Sequence, residues 1–255
     1  MMIKLKSESD IEAMRYPNRI VGEVLNYIKP YVVEGISTYD LDRMIEEYFS
    51  KKGVLPAFKG YEGYPAASCI SPNEIVVHGI PSKKIILKKG DLVSIDVGTI
   101  HDGWYGDGAR TYIVGDTDEQ RKKLVEVTQQ SFFEGIKKFK AGNKLGDISN
   151  AVQTFVESNG FSVIRDYVGH GIGRALHEDP QIPNFGKPSR GITLMEGMVF
   201  AIEPMVSMGK WEVDLLDDGW GVITQDRSPS AHYENTVVLH KGEVEILTMP
   251  EEIDV

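Results

Sequence analysis

Residues 94–111 read SIDVGTIHDGWYGDGART, two β-type runs joined by Asp102-Gly103. An Asp-Gly pair in that setting signals a two-residue hairpin, because both turn positions need a positive φ that Asp tolerates and Gly takes freely. The turn sets Asp96 opposite Ala109 and Asp107 opposite Gly98. Side chains alternate along a strand, so the two carboxylates share one face as diagonal neighbours about 7–8 Å apart or closer. Val93, Ile95 and Val97 take the other face, which marks the sheet as packed and its acids as partly dehydrated. A chain containing this hairpin must fold so that two like charges sit side by side.

The same conflict recurs downstream. Glu203 follows Phe200 and Ile202 in an apolar run, and Glu234 precedes Val237 and Val238. Four semi-buried carboxylates must protonate or find cations, since an ionised one without a partner costs several kcal/mol. Arg110 points away from Asp107, so the nearest guanidinium is not the answer. Two divalent ions would balance the four charges. The single Cys69 offers neither an intramolecular disulfide nor a CxxC pair, which fits a reducing compartment and leaves any metal to be held by His, Asp and Glu. Carboxylates with an imidazole and no thiolate suit Mn²⁺, Fe²⁺, Co²⁺ or Zn²⁺.

The rest of the chain supplies a frame for these acids. A net charge of −10 without a Lys/Arg run argues against nucleic acid as the main ligand. No apolar stretch has the length of a membrane span, and MMIKLKSESD lacks an apolar signal core, so we expect a soluble, cytoplasmic protein. Four helices are predicted. The first opens on a capping box from Ser9 to Glu12, with Pro17 marking its first turns or a kink. The second runs through STYDLDRMIEEYFSKK to Gly53, the third opens on Thr117 with Gln120, and the fourth closes at Gly160. β-branched runs follow each pair. HGI occurs at 78–80 and again at 170–172, and each occurrence precedes an acid on one strand and a second acid on the next. This order predicts two similar helix-helix-strands halves forming one domain over 1–255, of α/β (α+β) class, with a site between them.

VVHGIP, SIDVGTIHDGWYGD, GHGIG, LHEDPQIPN, AIEPM and SAHYENTVV, in this order and spacing, resemble the type I methionine aminopeptidases of bacterial type. These are dinuclear metallopeptidases with the pita-bread fold: pseudo-two-fold halves and a curved, mainly antiparallel sheet covered by helices. The resemblance implies five metal ligands, Asp96, Asp107, His170, Glu203 and Glu234, with Asp107 and Glu234 bridging two ions of Co, Mn, Fe, Zn or Ni. It implies that Glu203 moves a proton, that His177 touches substrate and not metal, and that His78 lies near the scissile amide. The flanking Gly169 and Gly171 leave His170 uncrowded. Tyr61, Tyr64, Cys69 and Trp220 would form the methionine pocket, with Phe58 and Leu176 adding wall where the family usually has Cys and Phe. Of the other histidines, His101 reads as solvated in the hairpin turn, His232 shares strand parity with Glu234, and His240 reads as exposed.

The implied activity removes the initiator methionine of nascent proteins when the next residue is small. Its partners are N-terminal peptides and the ribosome from which they emerge, and its working state is a monomer. Two other readings use the same fold. A proline-specific peptidase usually carries a large N-terminal domain, whereas little here precedes the catalytic region. A non-catalytic protein-binding module has lost metal ligands, whereas all five are present.

Overall fold

The computed structural model describes residues 3–249, and the expected domain over 1–255 reaches beyond them at both ends. The first half runs α1 (Glu8–Ile28), α2 (Thr38–Lys52), β1 (Leu55–Pro56), β2 (Ser68–Pro72), β3 (Ile75–Val77), β4 (Leu92–His101) and β5 (Trp104–Ile113). The second runs α3 (Glu119–Ile136), α4 (Leu145–Ser158), β6 (Ser162–Val163), β7 (Gly169–Gly171), β8 (Glu178–Ile182), β9 (Val199–Ile202) and β10 (Met205–Ser207). It then continues through β11 (Val213–Leu215), β12 (Val222–Thr224), β13 (Ser230–His232), β14 (Glu234–His240) and β15 (Glu243–Ile246). The helix-pair-then-strands order therefore occurs twice.

Local chemistry sets most helix ends. Gly53, at φ 69°, closes α2 and returns its N–H to Phe49 and Ser50. Two expected starts are shifted. The capping box of α1 is Ser7 with Asp10, not Ser9 with Glu12, so Pro17 lies well inside the helix rather than in its first turns. The Pro17 carbonyl accepts a bond from the Thr99 hydroxyl at 2.9 Å. At α3 the cap is Asp118, which accepts from Arg121 N–H at 2.9 Å, while Thr117 donates to the Gly90 carbonyl. Asp accepts this bond as well as Thr and favours the positive helix N-terminus by its charge.

Every strand pairing among the described residues is antiparallel. The largest sheet has the order β1-β4-β5-β14-β9-β7-β8, with β2 also on β4 and β15 also on β14. The hairpin forms as expected: Asp102 (φ 49°) and Gly103 (φ 73°) make the turn, and Asp96 pairs with Ala109 and Gly98 with Asp107.

The back of this sheet carries the core. Val93, Ile95 and Val97 pack against Ile20, Val24 and Leu41 of α1 and α2. Phe200, Ile202 and Val237 pack against Phe132 and Ile148 of α3 and α4. Each fully buried side chain of this kind contributes about 1.5–3 kcal/mol. Such packing fixes which residues of β4, β9 and β14 face forward, because a slip of one residue would turn the apolar set to the front. Among the described residues no helix is long and apolar enough to cross a membrane.

Candidate metal centre

Five neighbouring strands bring one candidate ligand each to the front of the sheet. In the order β4-β5-β14-β9-β7 they are Asp96, Asp107, Glu234, Glu203 and His170, with Glu203 one residue past the end of β9. Register places them together. Ala109, two residues from Asp107, pairs with Asp96 on one side and Glu234 on the other. Ala201, two residues from Glu203, pairs with His170 on one side and Thr236 on the other. Paired residues share a face, as do alternate residues of one strand, so all five point the same way. The methyl groups of Ala109 and Ala201 leave space between the longer side chains.

These acids carry the electrostatic strain read from the hairpin. Asp107 and Glu234 are buried, at 4% and 2% exposure. Burial pushes the Asp96 carboxyl up to about 7. Burial and then the charges of Asp96 and Glu203 raise Asp107, and burial followed by the Asp96 charge raises Glu203. Glu234 is raised by burial and then by Asp107, Glu203 and Asp96. Arg110 is spent elsewhere: it donates to the Ala109 and Glu234 carbonyls and the Asn235 side chain, and it stacks on Tyr233. Among the described residues no Lys or Arg pairs with the cluster. Asp96 Oδ1, Asp107 Oδ1 and Glu234 Oε1 are buried without a hydrogen-bond partner. Asp107, His170 and Glu234 each offer an atom within 4.8 Å of the others. Unpartnered anionic oxygens converging at that spacing fit divalent cations.

The opening strand of GHGIG sets the state of His170. Its Nδ1–H donates to the Gly171 carbonyl at 2.9 Å, which leaves the Nε2 lone pair facing Asp107 at 3.6 Å and Glu203 at 3.7 Å. Burial and then nearby His177 lower its pKa to about 3, so it is neutral and ligand-competent. The glycines beside it have a different purpose from the one expected. A Cβ on Gly169 would lie 2.4 Å from the Ala201 carbonyl, and one on Gly171 2.3 Å from that of Asp179. They admit the neighbouring strands rather than leaving room for an ion.

His177 lies at the mouth, edge-on to His170 with ring centroids 4.4 Å apart. Its Nδ1 bonds the Tyr61 hydroxyl at 2.8 Å, which leaves Nε2 free. The turn bearing it is tied down by Glu178, which accepts from the Arg174 N–H and pairs with buried Lys6 at 2.5 Å. His78 follows β3 with φ 60°, an uncommon conformation for a residue with a Cβ. The next residue explains the bend: Gly79 passes so close to β2 that a Cβ would meet the Ile70 carbonyl at 2.4 Å. Burial lowers the His78 pKa to about 4.

A cavity of about 140 Å³ joins these groups to an apolar wall. Phe58, Tyr61, Tyr64, Cys69, Leu176 and Trp220 line it together with His78, His177 and the cluster. All the sequence-nominated site residues thus border one space. Tyr64 meets Trp220 edge-on at 5.0 Å, and its hydroxyl reaches the Ser68 and Gly79 carbonyls. Cys69 pairs with Asp96 across β2 and β4, so the thiol sits beside the carboxylates, where burial raises its pKa.

Two residues gained importance in the structure. Glu62 also lines the cavity, in a turn between Gly60 and Gly63 at φ 47°, and its charge acts on His177. The sequence signal was the glycine pair, which marks a tight turn that can aim the intervening side chain inward. His232 is 1% exposed, with Nε2 3.7 Å from both Glu203 and Glu234. The remaining histidines differ from expectation. His101 is half-buried against Tyr16, and His240 is largely covered and bonds Glu8 at 2.5 Å.

The matches to known proteins agree with this class of site. The model of Metallopeptidase family M24 matches residues 12–241, and the chain belongs to that family. A methionine aminopeptidase of Clostridium perfringens is 54% identical over 248 residues, 97% of this chain and 99% of that one. The crystal structure of methionine aminopeptidase from Thermotoga maritima matches with a TM-score of 0.96 at 50% identity, covering 98% of this chain and all of that one. A prolidase from Pyrococcus furiosus, at 22% identity and a TM-score of 0.79, covers 97% of this chain and 66% of that one. The last likeness is one of fold alone. The pita-bread architecture expected from the sequence is the architecture found.

Proposed function

We infer that this chain is a metal-dependent aminopeptidase that removes N-terminal methionine from peptides whose second residue is small. The observation that carries this reading is a small cavity in which a carboxylate-imidazole cluster meets an apolar, sulfur- and aromatic-lined wall. Its volume lies below the roughly 300–1,000 Å³ usual for drug-sized ligands, which suits one side chain rather than several. A thioether gains dispersion and sulfur-aromatic contact against Tyr64, Trp220 and Cys69. Asp96, Asp107, His170, Glu203 and Glu234 would hold two divalent ions, of Co, Mn, Fe, Zn or Ni.

Such ions, when bound, lower the pKa of a coordinated water and polarise the scissile carbonyl. The side chains do the rest. Glu203 takes the proton of the attacking water and passes it to the leaving amine as the C–N bond breaks. With the Tyr61 hydroxyl donating to Nδ1, the His177 proton sits on Nε2 and is offered to the oxygen on which negative charge develops. His78 faces the amide that departs. Because the cluster and the wall draw on both halves of the chain, residues 1–255 act as one catalytic domain. The partners are free N-termini, as they emerge at the ribosome, and the working form is a cytoplasmic monomer.

The test is release of free methionine from Met-Ala-Ser and Met-Pro-Ser, followed by mass spectrometry, with chelator-treated protein before and after addition of Mn²⁺ or Co²⁺. Metal-dependent release from Met-Ala-Ser is expected. Cleavage of Met-Pro-Ser alone would instead favour a proline-specific peptidase, and no cleavage of either would favour a binding module.

A further inference from the structure

The proposed mechanism gives work to His78, His170 and His177 and none to His232, although His232 is the most deeply enclosed of the four. Its ring is 1% exposed, and neither Nδ1 nor Nε2 has a hydrogen-bond partner. A buried imidazole with both nitrogens unsatisfied is costly and calls for a specific explanation. The backbone holds it there. His232 pairs with Met205, and the Thr111 hydroxyl accepts its N–H at 2.8 Å and donates to its carbonyl at 2.9 Å.

The ring is aimed at the carboxylates in the same way as His170. His170 Nε2 stands 3.7 Å from Glu203 Oε1, and His232 Nε2 stands 3.7 Å from Glu203 Oε2. Each also approaches a second acid, Asp107 at 3.6 Å for His170 and Glu234 at 3.7 Å for His232. These separations are too long for hydrogen bonds. They are close to the roughly 3.4 Å between two donors that each lie about 2.1 Å from one tetrahedrally coordinated ion. Asp96, His232 and Glu234 each offer an atom within 4.8 Å of the others, as do Asp107, His170 and Glu234. The two triads share Glu234.

We propose that His232 is itself a metal ligand, which with Asp96 and Glu234 forms a second three-donor position beside that of Asp107, His170 and Glu234. The proposal rests on the metallopeptidase reading above and changes its ligand set. Each ion then has one imidazole, and the second position acquires a nitrogen donor that favours Fe²⁺, Co²⁺, Ni²⁺ and Zn²⁺ over harder ions.

The test uses Co²⁺ added to chelator-treated protein, with bound ions counted per chain and the coordination read by X-ray absorption. Wild-type protein is expected to bind two Co²⁺ with an average of one imidazole per ion. His232→Gln should retain the first ion, weaken the second at least tenfold and reduce the average to one imidazole per two ions. Two Co²⁺ in the wild type with one imidazole between them would overturn the proposal while leaving the metallopeptidase reading intact. So would wild-type affinities and an unchanged visible spectrum in His232→Gln. If that variant does not fold, the wild-type imidazole count decides alone. A wild-type chain that binds no Co²⁺ would overturn both readings.

Discussion

The two sides of the cavity are built differently. The metal side is made of strands: its five sequence-nominated ligands stand on, or one residue past, five adjacent antiparallel strands whose register is fixed by packing of the back face, and His232 joins them from β13. The apolar side is made largely of connections: Phe58, Tyr61 and Tyr64 lie between β1 and β2, Leu176 between β7 and β8, and Trp220 between β11 and β12. Only Cys69, on β2, belongs to both sides. A strand-borne side chain cannot move without moving its neighbours, whereas a loop-borne one is adjusted by local changes. The metal ligands are therefore held rigidly and the choice of substrate is open to change. Phe58 and Leu176 fall on the adjustable side.

The largest effect should follow from removing the ions. Chelation is expected to abolish peptide hydrolysis and to leave the acids uncompensated. Asp96 has its folded-state pKa raised from 3.8 to about 7, so its protonated form is the one compatible with folding. The Asp96 contribution to the stability of metal-free protein is accordingly present near pH 4 and lost as pH rises toward 7, while the neutral His78 and His170 act in the opposite sense, losing stability as pH falls below 6.5. Thermal melts of chelated wild-type and Asp96→Asn protein between pH 4 and 8 isolate the carboxyl: the wild type should lose stability relative to the variant as pH rises toward 7, and a constant difference would break the contrast between a strained metal side and a neutral wall.

Next in size is His177→Ala, which removes a donor aimed at developing charge. It should lower kcat by about 10²–10³ while both ions remain bound. Loss of metal from that variant would move His177 onto the metal side. Trp220→Ala strips the wall without touching a ligand. It should reduce kcat/KM for Met-Ala-Ser by about 10–100-fold, leaving metal affinity unchanged in a titration. The smallest effect is expected for Tyr61→Phe, which frees His177 Nδ1 and should lower kcat by about 3–10-fold, with KM little altered. A change confined to KM would mean that Tyr61 serves only as wall.

The metal side was the more legible in sequence for the same physical reason. A period of two and an Asp-Gly turn determine both register and face, so Asp96 and Asp107 could be paired from local signals alone, and Glu203 and Glu234 from repetition of the pattern. Other positions depended on remote partners. Ser7 caps α1 in place of Ser9 because Lys6 is already committed, its N–H to the Gly197 carbonyl and its ammonium to Glu178. His240 is covered through Glu8 and Glu245, and His101 through Tyr16. For His232, parity with Glu234 assumed one strand, whereas the chain breaks at Tyr233 into β13 and β14 of different sheets, and the depth of the ring arises from Thr111 and from the convergence of strands far apart in sequence. The wall residues came from resemblance, since a Gly/Tyr segment such as FKGYEGYP has no periodicity of its own.

The most direct measurement is anomalous diffraction from crystals soaked with Mn²⁺ and methionine. The expected map has two manganese peaks among Asp96, Asp107, His170, Glu203 and Glu234, with the methionine sulfur against Tyr64, Cys69 and Trp220. Manganese outside the carboxylate cluster, or methionine bound away from that wall, would contradict the account.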